Sequence, residues 1–225
     1  IKGDVPYKKI KEVRSRNRRL GLGIMGLHEW LLQRGYKYEI NEELRLWLGA
    51  YQDVSDKTSK DFANYLSVSQ PVANRAIAPT GSIGILAGTT TGIEPLFAVA
   101  YKRRYLTNGK DWTYQYVVDS AAADMISKYG VNPDKIESAL DLASDPERRI
   151  KFQADVQDYV DMSISSTINL PAWGTDLNNE YLVDSYAEMI IKYAHRLRGL
   201  TFYADGSRGG QPLNAVPFHE ASNKV

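Results

Sequence analysis

Cysteine is absent from this sequence of 225 residues. Its absence excludes disulfide scaffolds, thiolate metal sites and any cysteine nucleophile carried on this polypeptide. Histidine is also scarce, because only His28, His195 and His219 are present. These positions are too far apart for the HExxH spacing of zinc enzymes, so we expect no metal site formed by this chain.

The sequence also lacks a strong charge imbalance and a long apolar run. Its formal net charge is +1, which gives no general electrostatic attraction to nucleic acid or to anionic membranes. No apolar run approaches the roughly 20 residues that a membrane-spanning helix needs, and the first residues lack the pattern of a secretion signal. We therefore expect a cytoplasmic protein with neither nucleic-acid nor membrane partners.

What is present is the composition of a globular protein. Hydrophobic residues make up 43% and charged residues 24% of the chain, values typical of soluble domains. The length allows one large domain or two small ones. Two basic runs, 14–19 and 102–104, are local, and we interpret them as solvated faces or as ion-paired ends.

Apolar periodicity and capping residues predict five helices and four short strands. We expect the helices over 20–31, from Asn41 to about residue 65, over 112–129, from Asp145 onwards and from Asn179 to about residue 198. We expect the strands over 75–78, 96–106, 165–170 and 200–203. Asn108-Gly109 predicts a tight turn, and the tail from residue 209 is predicted to be extended.

The alternation of helices with short apolar strands favours a parallel α/β arrangement. In such folds, binding sites form on the loops at the carboxyl ends of the strands. We therefore expect the loops after Ala78, Leu170 and Tyr203 to converge on one site.

A turn rich in Gly, Ser and Thr follows the first of these strands, over residues 78–95. Free backbone N–H groups at the start of a helix bind anions, and the hydroxyls of Thr80 and Ser82 add donors. The turn fits neither the Walker A nor the GxGxxG pattern. We interpret it as a phosphate site, with a plain surface turn as the alternative. Glu94 near its end is either a functional carboxylate or a structural partner of Arg103 or Arg104.

Four segments, in this order, resemble the C-terminal part of the catalytic subunit of ribonucleotide reductases, with similar spacing. The resemblance covers roughly residues 12–210. The segments are "NRRLGLGIMGLHEWLLQRG" (17–35), "APTGSIGILAGTTTGIEP" (78–95), "SISSTINLP" (163–171) and "GLTFYADGSR" (199–208).

The resemblance implies an α/β fold in which residues 1–210 form the C-terminal half of a ten-stranded α/β barrel, followed by an extended tail over 211–225. It also implies a site that binds the substrate phosphates, formed by Pro79, Thr80, Gly81, Ser82 and Ile83.

The same resemblance implies catalytic roles for Asn169 and Tyr203, which would face the barrel interior. The alternatives are a strand-end residue that satisfies its own backbone for Asn169 and a core aromatic residue for Tyr203. Among the classes of this family, the sequence looks most like the adenosylcobalamin-dependent enzymes. A tyrosine pair is typical of enzymes that receive their radical from another protein, whereas this chain has Phe202-Tyr203. Adenosylcobalamin is thus the expected cofactor.

The lack of cysteine means that this polypeptide alone cannot perform the family's radical reaction. The expected function is to hold the phosphates of a ribonucleoside di- or triphosphate. An N-terminal half would carry the active-site cysteines, and an external dithiol would restore them. The chain would be a split-gene product, a fragment or a truncated protein. The alternative is a non-catalytic half-barrel module that binds a nucleotide or serves only in assembly. The exposed strand edges of a half-barrel predict that this chain on its own is poorly soluble or self-associates.

Overall fold

The computed structural model describes residues 4–207 and 213–224. Within these residues the helices are α1 Lys8–Asn17, α2 Leu27–Gln33, α3 Glu42–Tyr65, α4 Gly81–Ala87, α5 Ser120–Tyr129, α6 Pro146–Gln157, α7 Val183–Ala194 and α8 Phe218–Ser222. The strands are β1 Ala100–Thr107, β2 Asp111–Val118, β3 Thr167–Leu170, β4 Thr201–Ala204 and β5 Leu213–Ala215. In this part of the chain, no helix is both long enough and apolar enough to cross a membrane.

Side-chain caps start three of the helices. The Asn41 side chain accepts the N–H of Leu44 at 2.8 Å and begins α3 where the sequence predicts it. The Asp145 carboxylate accepts the N–H of Arg148, and Pro146 occupies the first position of α6. Asp119 caps α5 in the same way. Each cap satisfies a backbone donor that the helix itself leaves free.

Four extended segments lie side by side in the spatial order 20–22, 75–77, 162–170 and 201–204. Leu22 bridges Arg75, and Ile77 bridges Ile164, both in parallel. β3 and β4 then pair in parallel from Thr167↔Thr201 to Leu170↔Ala204. These segments form the parallel layer of the molecule. The predicted α/β class is confirmed, and the described residues do not close a barrel.

Helix α6 packs against this layer and connects two core clusters. Phe152 and Val156 belong to the cluster that also contains Ile77 and Ile164, which are both buried. Ile150 and Ala154, on the opposite side of the helix, pack with Ile168 of β3. The helix therefore supports strands 75–77 and β3 at the same time.

The hairpin β1–β2 stands beside the parallel layer and pairs in antiparallel with β5. Its turn contains Asn108 at φ 52° and Gly109 at φ 71°, the positive φ values that the central residues of a primed turn adopt. The prediction of one helix over 112–129 is wrong. Residues 111–118 form β2, and only the second part is helical.

Two further predictions differ from the structure. Residues 20–26 are not helical, because this segment lies along strand 75–77. A Cβ atom at Gly23 would lie 2.7 Å from the carbonyl oxygen of Ala76, so the close approach requires glycine. In the described part of the tail predicted as extended (211–225), β5 is a strand as expected, but α8 is a helix. The domain boundary at residue 210 stays a prediction.

Candidate functional site

The glycine-rich turn begins with a strained residue. Thr80 adopts φ 51° and lies in the left-handed region. Its hydroxyl oxygen accepts the N–H of Gly92 at 2.8 Å, and its carbonyl oxygen accepts the N–H of Gly84 at 2.7 Å. These two bonds fix both ends of the turn, so its conformation does not depend on a ligand.

The exposed side of the same turn presents donors. Gly81, Ser82 and Ile83 are exposed, and their N–H groups have no hydrogen-bond partner among the described residues. The space next to Gly81 is open out to 4 Å. Pro79, also exposed, precedes the turn. The five residues predicted to bind phosphate therefore form one contiguous turn with free donors.

The two predicted catalytic residues are neighbours. Asn169 on β3 is in register with Tyr203 on β4. Register partners on parallel strands point to the same face of the sheet. Both residues are half-buried, whereas Ile168 and Phe202, the preceding register pair, pack in the core beneath. The structure thus brings Asn169 and Tyr203 together on the face away from α6.

A cleft of 590 Å³ lies between this strand end and the hairpin. One wall contains Gly84 and the loop that follows α4, together with Thr167 and Asn169 of β3. The opposite wall contains hairpin residues, among them Arg103 and Gln115. Of the three loops expected to converge, only the one after Ala78 therefore lines this cleft among the described residues, whereas β3 contributes through Thr167 and Asn169 and not through the loop after Leu170. Tyr203 is in register with Asn169 and does not itself line the cleft.

A buried arginine connects the glycine-rich loop to β3. Arg149 of α6 is 2% exposed and forms an ion pair with Glu94 at 2.6 Å. It also donates to the hydroxyls of Tyr38 and Ser166 and to the carbonyl oxygen of Thr167. We call Arg149 and Glu94, with their partners Tyr38, Ser166 and Thr167, the arginine clamp.

Glu94 completes the clamp from the other side. Its carboxylate accepts the backbone N–H of Thr167, the first residue of β3, at 2.5 Å. Burial raises the pKa of Glu94, while the adjacent Arg149 guanidinium acts in the opposite direction. The pairing of Glu94 with Arg103 or Arg104 that we considered from sequence is wrong, because the observed partner is Arg149.

His28 lies next to the clamp in the interior. Its ring is fully buried, stands edge-on to Tyr38 with 5.3 Å between centroids, and accepts the N–H of Leu96 on Nδ1 at 3.0 Å. Burial, with Arg149 as the next cause, lowers the pKa of His28 to about 3. The histidine is therefore neutral at physiological pH and has a structural position.

Sequence reasoning missed Arg149 and Tyr38. One signal was present, because Arg149 lies three positions before Phe152 and seven before Val156, on the apolar face of α6. A charged residue in an apolar helical stripe indicates a buried, paired group. Its partner could not be read from that pattern.

The model of the ribonucleotide reductase barrel domain matches residues 1–53 and 72–203. The chain belongs to this ribonucleotide reductase family. The match includes the glycine-rich turn, the clamp, β3 and β4 as far as Tyr203. Most of the parallel layer is thus part of the family's barrel domain.

Curated members of the ribonucleotide reductase family are similar over most of the chain. The vitamin B12-dependent ribonucleoside-diphosphate reductase of Mycobacterium tuberculosis (strain CDC 1551 / Oshkosh) is 30% identical over 94% of this chain and 34% of its own length. The enzyme of the same name from Thermoplasma acidophilum is 27% identical over 93% of this chain and 31% of its own length. The chain therefore spans about a third of the length of these relatives.

A solved structure agrees on the fold. The crystal structure of a B12-dependent (class II) ribonucleotide reductase superposes with a TM-score of 0.70 at 16% identity, over 95% of this chain and 34% of that chain. This similarity places the parallel layer, the hairpin and the glycine-rich turn within the reductase barrel fold.

Proposed function

We propose that this chain is the part of a vitamin B12-dependent ribonucleotide reductase that holds the substrate phosphates. The observation that carries the proposal is the turn at 79–83, whose free N–H groups are held in place independently of a ligand. Anions bind well to such preorganised donors because no reorganisation is needed. The names of the curated relatives support a ribonucleoside diphosphate as the substrate.

In this proposal Asn169 and Tyr203 face the reacting part of the substrate. Their shared register puts an amide and a phenol side by side at a strand end, where groups that orient a ligand are expected in parallel α/β folds. The radical cysteine and the reducing cysteines would come from a segment outside this sequence. An external dithiol would return those cysteines to the reduced state.

The cleft fits the cobalamin cofactor in chemical character. The amide side chains of Gln115 and Asn169 could donate to and accept from the amide groups around a corrin ring. The hydroxyls of Thr89 and Ser120 donate to Glu29 and to the Gly88 carbonyl oxygen, so they could only accept. When bound, adenosylcobalamin would supply an organic radical. This chain's own residues would orient the substrate and shield it from water.

The phosphate turn can be tested by placing a negative charge on it. Ser82→Asp should weaken the binding of a ribonucleoside diphosphate about tenfold or more, because like charges about 4 Å apart cost roughly 1–4 kcal/mol. Ser185→Asp is the matched control, since Ser185 is likewise exposed in the first turn of a helix, α7. Isothermal titration calorimetry gives both affinities. Equal affinities for the two variants would contradict the phosphate site.

The reaction can be tested by reconstitution. The chain is mixed with a cysteine-bearing N-terminal half, adenosylcobalamin, a dithiol and a ribonucleoside diphosphate, and deoxynucleotide is measured by chromatography. We expect product only when both halves are present. If the cysteine-bearing half is folded and no product forms, the alternative of a non-catalytic nucleotide-binding or assembly module is favoured.

A further inference from the structure

The hairpin contributes a cation to the cleft, and no carboxylate of the described residues pairs with it. Arg103 lies on β1 and lines the cleft opposite Asn169. Among the described residues it forms no salt bridge. Its one hydrogen bond goes from Nη2 to the Gln115 side chain at 2.8 Å.

No described residue accepts a hydrogen bond from the remaining side-chain donors of Arg103. Its Nε is buried without a hydrogen-bond partner, and a buried donor left unpaired is costly. The guanidinium carbon lies 5.6 Å from the ring centroid of Tyr105, whose face contributes attraction but no acceptor. Gln115 and Tyr105 thus hold the guanidinium in position while part of its fork is left without an acceptor.

The acidic groups of the cleft do not neutralise Arg103. Glu94 is engaged by Arg149 at 2.6 Å. Asp119 accepts the N–H groups of Ala121 and Ala122 at the start of α5. Glu94 thus has a cation of its own, whereas the partners of Asp119 are neutral amides. Neither carboxylate forms a salt bridge with Arg103 among the described residues, so the guanidinium has no ion-pair partner in the cleft.

We propose that Arg103 forms a second anion site, which receives a phosphate ester bound in the cleft. A guanidinium fork matches the oxygen atoms of phosphate better than other side chains do. The site is separate from the turn at 79–83, because none of those five residues lines the cleft. It goes beyond the proposed function, since it requires only a phosphorylated ligand and no radical chemistry.

Two ligands of this family's chemistry carry such a phosphate ester. One is the nucleotide substrate, whose terminal phosphate could extend from the turn into the cleft that begins at Gly84. The other is the phosphodiester in the nucleotide loop of cobalamin, a source that rests on the proposed function. Arg103 recognises the same group in both, and the experiment separates them.

The test compares Arg103→Gln with Arg104→Gln in the 225-residue chain. Arg104 is the matched control, because it carries the same charge one residue further along β1 and therefore faces the other side of the hairpin, over Trp112. Each variant is titrated with a ribonucleoside diphosphate, with cyanocobalamin and with cobinamide, which lacks the phosphodiester. Near-ultraviolet circular dichroism checks that the hairpin is intact.

For Arg103→Gln we expect a roughly tenfold loss of affinity for one phosphorylated ligand, and for Arg104→Gln a change of less than twofold. Loss for the nucleotide assigns the site to the substrate. Loss for cyanocobalamin but not for cobinamide assigns it to the cofactor. Arg103→Lys should recover part of the affinity, because it keeps the charge but loses the fork.

Three results would overturn the proposal. They are equal losses in the Arg103 and Arg104 variants, affinities for both ligands within twofold of the parent chain, and a parent chain that binds neither ligand. The Ser82→Asp variant distinguishes failure of this second site from failure of the proposed function. If Ser82→Asp weakens nucleotide binding and Arg103→Gln changes nothing, only the second site fails. The reverse pattern refutes the phosphate turn and leaves the hairpin site standing.

Discussion

Arg149 lies behind one wall of the cleft and Arg103 lies in the other, and the two arginines have opposite surroundings. Arg149 of the clamp is buried and donates to four different residues, one of them a carboxylate. Arg103 on the hairpin is half-buried and donates to one neutral amide. The clamp arginine is saturated by the fold, whereas the hairpin arginine has capacity left. The comparison separates a group that builds the site from a group that is free to recognise a ligand.

Of the substitutions that test this comparison, removal of the clamp arginine should have the largest effect on stability. Arg149→Met leaves the Glu94 carboxylate buried without its cation, so we expect a loss of about 3–5 kcal/mol in the free energy of unfolding. Urea denaturation measures the loss. Arg104→Met should change stability by less than about 1 kcal/mol, because the half-buried Arg104 has no ion pair among the described residues and loses only its contact with the Trp112 ring.

A double variant guards against a chain that simply fails to fold. Adding Glu94→Gln to Arg149→Met removes both charges, so the double variant should be more stable than Arg149→Met alone. If Arg149→Met and Arg104→Met cost the same, the clamp has no special structural role.

The stability of the region around the arginine clamp should also depend on pH, because His28 is buried there. The pKa of this histidine is about 3 in the folded protein against 6.5 for a free histidine. Between these values the unfolded chain binds the proton and the folded chain does not, so stability falls as the pH drops below 6.5. From pH 6.5 to 5 the loss should reach about 2 kcal/mol.

His28→Gln keeps an acceptor for the N–H of Leu96 and does not titrate. Urea denaturation at several pH values should therefore give this variant a flatter profile over that interval. A slope unchanged from that of the parent chain would show that His28 already carries a proton in the folded state.

The smallest effect should be confined to the hairpin. Gly109 adopts φ 71° in the turn, and an alanine there costs about 1 kcal/mol because L side chains disfavour this region. A Cβ atom would meet nothing within 4 Å, so the cost is conformational and not steric. Hydrogen exchange should speed up for the amides of β1 and β2 and stay constant for those of α6. Equal changes in both regions would mean that hairpin and interior unfold together.

Local signals allowed much of the fold to be predicted. Helices α3 and α6 begin at the predicted caps Asn41 and Asp145, and Asn108-Gly109 forms the predicted turn. Caps and tight turns can be predicted because they depend on residues only a few positions apart. The prediction of one helix over 112–129 was wrong because local signals did not mark the boundary between β2 and α5. β2 ends at Val118 and α5 begins at Ser120, so Asp119 alone separates the two and one apolar run contains both.

The candidate site divides in the same way. The turn at 79–83 and the neighbours Asn169 and Tyr203 lie in segments whose sequence patterns are distinctive. The clamp could not be predicted, since Arg149 is 55 positions from Glu94 and 111 from Tyr38. Such pairs are selected by the packing of α6, and no local pattern encodes their distance.

The order of the parallel segments also determines when each wall of the cleft can form. The hairpin closes over a short interval, since the bonded side chains of Thr107 and Thr113 are six positions apart. Strand 75–77 must wait for its neighbour, because the N–H of Asn74 binds the Asp161 carboxylate 87 positions further along the chain. Contacts so distant in sequence slow folding. During synthesis on the ribosome, the β1–β2 hairpin would thus form well before the opposite wall, which needs β3.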